Sequence, residues 1–278
     1  MRALILAFVL AACATAPAAV PADAAAVVAA ERAFAARAGE IGWVQAFREY
    51  TAQDGQIARD RIVSAPESLA DAPDGGRLLY WEPAYAGIAR SGDLGFSTGP
   101  YSFEETRIPR GQYFTVWRRQ PDGSWRWIWD GGLGPVAEPG PMRPADYAVP
   151  SLPVAESGVG AARARAEVEA LERALTGASL ASHLAPDAHV YRFRQPRAYG
   201  GEASAAAALH PSAEIAYDMQ RLEVSEAGDL AFTLGETRWQ EAGQAREGFF
   251  ARIWQYRGAK GWRVVYDQMA PKPPPPAN

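Results

Sequence analysis

The sequence predicts an α+β protein built from two tandem domains, each with N-terminal helices packed on one face of a curved, mostly antiparallel sheet. The first observation behind this is an internal repeat. Gly92-Asp93-Leu94-Gly95-Phe96-Ser97-Thr98-Gly99 recurs as Gly228-Asp229-Leu230-Ala231-Phe232-Thr233-Leu234-Gly235, an offset of 136. Gly111, Tyr113, Trp117, Trp125 and Asp130 recur as Gly248, Phe250, Trp254, Trp262 and Asp267, an offset of 137. One extra residue in the intervening loop reconciles the two values. The second observation is that helical periodicity precedes strand periodicity in both halves, which places helices on a run of hairpins. The third is a proline-rich stretch between the copies, residues 133 to 160, with six prolines and little periodicity.

Within the first half, Val27, Phe34, Ala38 and Ile41 trace an amphipathic helix stripe, and Gly42 breaks it before a short helix through Trp43, Phe47 and Tyr50. Within the second, Ala164, Val168, Leu171 and Leu175 recur at steps of four, three and four, and Pro186 closes the helical region. Later segments alternate: Tyr113, Thr115 and Trp117 share one face with Phe114 and Val116 on the other, and Trp125, Trp127 and Trp129 oppose Arg126 and Ile128. Pro121-Asp122-Gly123 and Arg257 to Gly261 read as the matching turns. The expected organisation is 1–12 signal peptide, 13–22 tether, 23–132 first domain, 133–160 linker, 161–270 second domain and 271–278 proline-rich tail.

At 278 residues the chain has room for about two units of ordinary size, and 48% hydrophobic with 22% charged residues is globular composition. The 28 basic residues are outnumbered by 32 acidic ones, a net charge of −4. Backbone phosphates are gripped by clustered Lys and Arg, so nucleic acid is not expected as a partner.

Arg2 followed by the apolar run Ala3 to Ala12 and then small residues fits a secretory signal. Ten residues fall short of the roughly 20 a spanning helix needs. Leu10-Ala11-Ala12-Cys13 resembles the lipobox of bacterial lipoproteins, and Cys13 is the one cysteine of the chain. The resemblance implies lipidation of Cys13, membrane attachment through that anchor alone and, since Ala14 rather than Asp follows, delivery to the outer membrane facing the periplasm. Ordinary cleavage near Ala14-Thr15-Ala16 is the alternative.

Glu31-x-x-Phe34, Ala46-Phe47 to Tyr50, Asp54-Gly55, Trp81-x-Pro83, Ser91-Gly92-Asp93-Leu94-Gly95, Tyr113-x-x-Val116-Trp117-Arg118-Arg119 and Trp125 to Asp130 together resemble the nuclear transport factor 2-like superfamily. The first half is similar to its SnoaL-like branch and to the domain-of-unknown-function family 4440. Coverage is about residues 25 to 132 and, more weakly, 161 to 269. The second copy departs with Ala231 for the second Gly, Gln255 for the Arg, and no counterpart to Trp81-x-Pro83. The resemblance implies a cone with a pocket between sheet and helices, and pairing through the sheet surface, which two copies in one chain could satisfy as an internal pseudo-dimer. That superfamily holds isomerases, dehydratases and hydrolases beside many members without known activity, so fold does not decide function.

Candidate chemistry is sparse. Gly95-Phe96-Ser97-Thr98-Gly99 matches a nucleophile-elbow spelling, but the repeat puts Thr233 at the Ser97 position inside an alternating strand, and no helix follows. The three histidines, His183, His189 and His210, all lie in the second half. His183, Asp187 and His189 could converge at a helix end, or serve as surface and capping groups; their spacing matches no metal motif. Asp54 and its counterpart Asp187 stand where helix gives way to strand and are candidate catalytic carboxylates together with His189; Asp54-Gly55 also reads as a turn. Asp130 and Asp267 end the last strand in both copies and suggest a structural role such as pairing with an Arg. Pocket-lining candidates are Tyr50, Trp81, Tyr113, Trp117, Trp129, Tyr191, Tyr217, Trp254 and Tyr266, with plain core as the other reading. No metal or cofactor is expected. The leading expectation is binding of a small apolar or aromatic molecule; an enzyme of ketosteroid-isomerase or dehydratase type and a non-catalytic envelope scaffold are the alternatives.

Overall fold

The computed structural model describes residues 22–73, 76, 78–202, 204 and 214–272. Cys13, His210 and the tail beyond Lys272 lie outside the described residues. The first half runs α1 (Ala25–Ile41), α2 (Trp43–Tyr50), β1 (Thr51–Ala58), β2 (Ile62–Ser64), α3 (Ala65–Ala70), β3 (Tyr80–Trp81), β4 (Tyr85–Ile88), β5 (Leu94–Ser102), β6 (Gly111–Arg119) and β7 (Trp125–Leu133). The second runs α4 (Ala161–Ala174), α5 (Gly177–His183), β8 (Leu184–Arg192), β9 (Ala198–Tyr199), β10 (Ala216–Val224), β11 (Leu230–Glu241), β12 (Gln244–Tyr256), a 3-10 turn at Gly258–Lys260 and β13 (Trp262–Pro271). Among the described residues no helix is long and apolar enough to cross a membrane.

Each helix break has a local cause. Gly42 sits at φ 86°, a conformation that favours glycine, and ends α1. In the second half Thr176 and Ser179 form a reciprocal capping box that starts α5. The strand after α5 begins at Leu184, two residues before Pro186, so the proline lies inside β8 and does not close the helix. Asp54-Gly55 is not a turn but lies inside β1, where the pairing with β7 shifts register between Thr51 and Gln56. A Cβ on Gly55 would stand 2.2 Å from Thr51 Oγ1, so the irregularity requires glycine.

The two sheets share one plan. Strand order is β2-β1-β7-β6-β5-β3, with β4 on β5, in the first, and β10-β11-β12-β13-β8-β9 in the second. Both join their first long strand parallel to their last, and the other pairings are antiparallel. The repeat holds to the residue. Leu94 faces Arg118 and Gly99 faces Tyr113, while Leu230 faces Gln255 and Gly235 faces Phe250. A bulge falls between Val116 and Trp117 in one copy and between Ile253 and Trp254 in the other. Pro83, which has no N–H to give a ladder, lies in the gap between β3 and β4. The continuous β10 spans the same positions, so Tyr217 is the counterpart of Trp81 that the sequence comparison missed.

The outer faces of the sheets pack on each other. Phe96, Phe114, Val116 and Ile128 of the first join Phe232, Ile253 and Tyr266 of the second in one buried cluster. Phe114 stacks on Tyr266 with ring centres 4.1 Å apart. Contacts at the periphery are reciprocal, as a two-fold relation requires. The Arg90 N–H donates to Asp229 Oδ2 at 3.0 Å, and the Glu226 N–H donates to Asp93 Oδ2 at 2.9 Å. Tyr85 stacks on His189 at 3.9 Å, and at the equivalent place Arg221 donates to Gln56 at 3.2 Å. The proline-rich connection packs down rather than floating: Ser151 bridges Ala86, Leu152 is buried, and Arg90 Nη1 donates to the Ala155 carbonyl at 2.8 Å.

Candidate functional site

A cavity of about 310 Å3 opens into the first cone, at the lower end of the range for small-molecule sites. Its walls are rich in aromatic residues, including Trp43, Phe47, Trp81, Tyr101, Tyr113 and Trp129, and strands β12 and β13 of the second domain add Phe249, Phe250 and Gln268. The polar side chains on the lining, tyrosine hydroxyls and tryptophan indoles aside, are Arg59, Asp130 and Gln268; the Trp43 and Trp129 indole N–H groups have no hydrogen-bond partner among the described residues.

Asp130 comes to the cavity from β7, where strand alternation turns it inward beside Thr115 of β6. The Thr115 hydroxyl donates to Asp130 Oδ2 at 2.7 Å. Burial raises the Asp130 pKa to about 8, and the nearby Glu31 carboxylate raises it further than the Thr115 hydrogen bond lowers it. Although surrounded by protein, the carboxyl keeps part of its surface open to the cavity. Behind it lies Glu31 of α1, with no exposed surface. Glu31 accepts from the Trp81 indole at 2.6 Å, the Trp117 indole at 2.9 Å and the Ser97 hydroxyl. Burial outweighs these three donors and raises its pKa. Burial, reinforced by the Glu31 and Asp130 carboxylates, pushes the Tyr113 pKa well above the phenol range, so it keeps its proton.

The second cone repeats this scaffold, and among the described residues side chains occupy the matching place. Glu172 of α4 accepts from the Trp254 indole at 2.7 Å and the Thr233 hydroxyl at 2.6 Å, as Glu31 does from Trp117 and Ser97. Arg252 replaces Thr115. Its guanidinium, fully buried, pairs with Glu172 at 2.7 Å and with Asp267, and lies 4.6 Å from the rings of both Tyr217 and Phe250. Arg192 also pairs with Asp267. Burial opposes ionisation of Asp267, yet Arg252 and Arg192 outweigh it and hold its pKa below the ordinary value. Arg59, the counterpart of Arg192, instead lines the first cavity and makes no ion pair among the described residues.

The three candidate catalytic residues lie elsewhere. Asp54 is half exposed and bridges the domains, accepting from Arg118 at 2.6 Å and from Arg221 at 2.8 Å. Burial alone would raise its pKa; these guanidinium groups lower it. Asp187 pairs with Arg257 at 2.9 Å on the surface. His189 stacks on Tyr85 and meets Tyr199 edge-on, and burial lowers its pKa to about 4. His183 packs against the Trp254 ring, so His183, Asp187 and His189 each serve a different partner. Asp130 does not pair with an Arg; only its counterpart Asp267 does. Of the nine pocket candidates, Trp81, Tyr113 and Trp129 stand on the cavity wall. Tyr50 and Trp117 pack against Phe34 in the core. Tyr191 borders a small cleft between the domains with His189 and Arg197. Tyr217, Trp254 and Tyr266 are packed within the second cone or the domain interface.

No family model matches the chain, and none of the curated proteins matches it. Solved structures do match, one domain at a time. An NTF2-like protein of unknown function from Pseudomonas putida is 16% identical, over 40% of this chain and 89% of that one, with a TM-score of 0.33. A ketosteroid isomerase-like protein from Erwinia carotovora atroseptica is 19% identical, over 41% and 93%, at 0.30. A LEH-like epoxide hydrolase from M. tuberculosis is 13% identical, over 40% and 80%, at 0.31. The chain is thus an α+β protein of two sheets, each preceded by its helices, and is similar over about 40% of its length to structures described as NTF2-like.

Proposed function

We propose that the first domain binds a small apolar or aromatic molecule, and that the second domain is a filled partner that completes one wall of that site. The observation that carries this is the aromatic cavity with Asp130 on its lining, set against a second cone whose matching space holds Arg252. The test is titration with N-phenyl-1-naphthylamine, whose fluorescence rises in apolar surroundings. Gly132 lines the cavity, and a Cβ there would meet the Tyr101 ring at 3.4 Å, an ordinary contact. Gly132→Leu therefore fills the space without forcing the backbone, and is expected to abolish the signal. Equal binding by this variant overturns the reading.

A second reading is favoured by one observation, the Asp130 pKa near 8. A carboxyl poised there can give or take a proton near neutral pH. In this reading Asp130 exchanges a proton with a bound carbon acid, as an isomerase or dehydratase requires. Deuterium exchange into 2-tetralone in D2O, followed by NMR, is expected to be accelerated by the wild type and not by Asp130→Asn. Equal rates remove the enzymatic reading and leave the binding one.

The anchor is also proposed: Cys13 carries lipid and holds both cones at the periplasmic side of the outer membrane. Its support is the Leu10-Ala11-Ala12-Cys13 sequence. Cys13→Ser is expected to move the protein to the soluble fraction, and continued membrane association contradicts the anchor.

A further inference from the structure

The cavity of the first cone is not closed by the first cone alone. Gln268 of β13 reaches its lining from the other domain, and the residue is only 4% exposed. One end of its amide is committed: Oε1 accepts from the Tyr266 hydroxyl at 2.8 Å. Tyr266 is itself held by its stack on Phe114 and by Thr98, 3.3 Å from its hydroxyl, so a chain of first-domain contacts orients the amide. The other end, Nε2, has no hydrogen-bond partner among the described residues. An amide with one end anchored and the other open to a cavity offers its N–H to whatever occupies that space.

The repeat isolates this feature. The residue equivalent to Gln268 in the first domain is Gly131, which offers no side chain to the second cone. A Cβ at Gly131 would lie 2.7 Å from the Trp129 ring, so the first domain cannot carry a reciprocal Gln without moving that wall. The two-fold relation of the domains is broken at the position where one reaches into the other's cavity, and it is broken toward the cavity that is open.

We propose that Gln268 is a specificity-determining residue for the first-domain site: its free N–H donates to an acceptor oxygen, such as a carbonyl, on an otherwise apolar ring molecule. This rests on the binding reading above and names the ligand class it would take. Asp130 adds to the same preference, since near neutral pH it carries a proton much of the time and can donate as well. The second domain then acts on ligand choice through one side chain, while its own cone stays filled.

The test uses the full chain and three probes with one skeleton: fluorene, 9-fluorenone and 9-fluorenol, followed by quenching of tryptophan fluorescence. Wild type is expected to bind fluorenone more tightly than fluorene by roughly three- to tenfold, the range of one net hydrogen bond. Gln268→Met keeps the shape and removes the donor; it is expected to erase that preference and leave fluorene unchanged. Gln268→Glu keeps an acceptor for Tyr266 and is expected to invert the preference, which guards against misreading an unstable variant. An undiminished preference in both variants overturns the proposal, as does tighter binding of fluorenol than of fluorenone by the wild type. Binding of fluorene and fluorenone with equal affinity overturns it while the cavity reading stands. Failure of all three to bind the folded chain overturns the cavity reading itself.

Discussion

The two cones differ in what one position of the middle strand carries, Thr115 in the first and Arg252 in the second. Both place a helix glutamate under a tryptophan indole and a strand hydroxyl, Glu31 with Trp117 and Ser97, and Glu172 with Trp254 and Thr233. Both carry an inward-facing aspartate within the last strand and not at its end, Asp130 in β7 and Asp267 in β13. With threonine beside it, Asp130 has no cation partner and its pKa rises to about 8; with Arg252 and Arg192 beside it, Asp267 moves the other way. Two guanidinium groups therefore separate a cavity lined by an uncompensated carboxyl from an interior that, among the described residues, is held by ion pairs. Equal backbones can carry opposite chemistry when the change falls on the neighbour rather than on the group that titrates.

The sharpest way to break this comparison is to remove the plug. Arg252→Met leaves Glu172 and Asp267 buried with fewer cations, which should cost about 3 to 5 kcal/mol in urea unfolding. The matched Thr115→Val in the first cone loses one hydrogen bond and should cost about 1 kcal/mol. Similar losses at both sites would deny that the cones are built on different principles.

Next in size is the pH response of Asp130. Unfolded, it titrates near 3.8, and folded near 8. Between these values the folded chain binds more protons, so its contribution to stability falls as pH rises through that window and is flat beyond it. Asp130→Asn should flatten this slope and stabilise the protein by about 2 kcal/mol or more at pH 8.5, with little change at pH 4. A variant whose melting curves track the wild type across that range would place the Asp130 pKa at its ordinary value.

The smallest effect should come from the interface. His189 titrates near 4 when folded against 6.5 otherwise, because burial against Tyr85 disfavours its cation. Here the unfolded chain binds more protons, so stability is present above about 6.5 and is lost as pH falls toward 4. His189→Phe keeps the stack and should remove about 1 to 2 kcal/mol of that acid sensitivity. An unchanged acid slope would assign it to other groups.

Much of this architecture was legible in the residues. The offset of 136 or 137 located equivalent strands, and the structure repeats even the bulge before Trp117 and Trp254. The site was harder to see. Val27, Glu31 and Phe34, and again Val168, Glu172 and Leu175, step by four and three, so each glutamate sits within an apolar stripe. That spacing was the available signal, yet a glutamate on a helix reads by default as solvent-facing. The recurrence of Asp130 as Asp267 points to a shared structural task and away from a site. Repetition of the aspartate hid the substitution of its partner, and nothing short of the fold shows that Thr115 and Arg252 occupy the same inward place. Asp54 stood at the expected junction, but Arg118 and Arg221 draw it into the seam between domains.

The packed connection from Val136 to Ala155 holds the two domains on one chain. Two halves on one chain meet at a local concentration no dilution removes, so their association does not depend on how much protein is made. In an assembly of identical subunits, any arginine that closed one chamber would close every chamber. Fusion lifts that constraint: one half can become a permanent buttress while its twin keeps an opening, and a side chain such as Gln268 can be selected for what it does inside its neighbour.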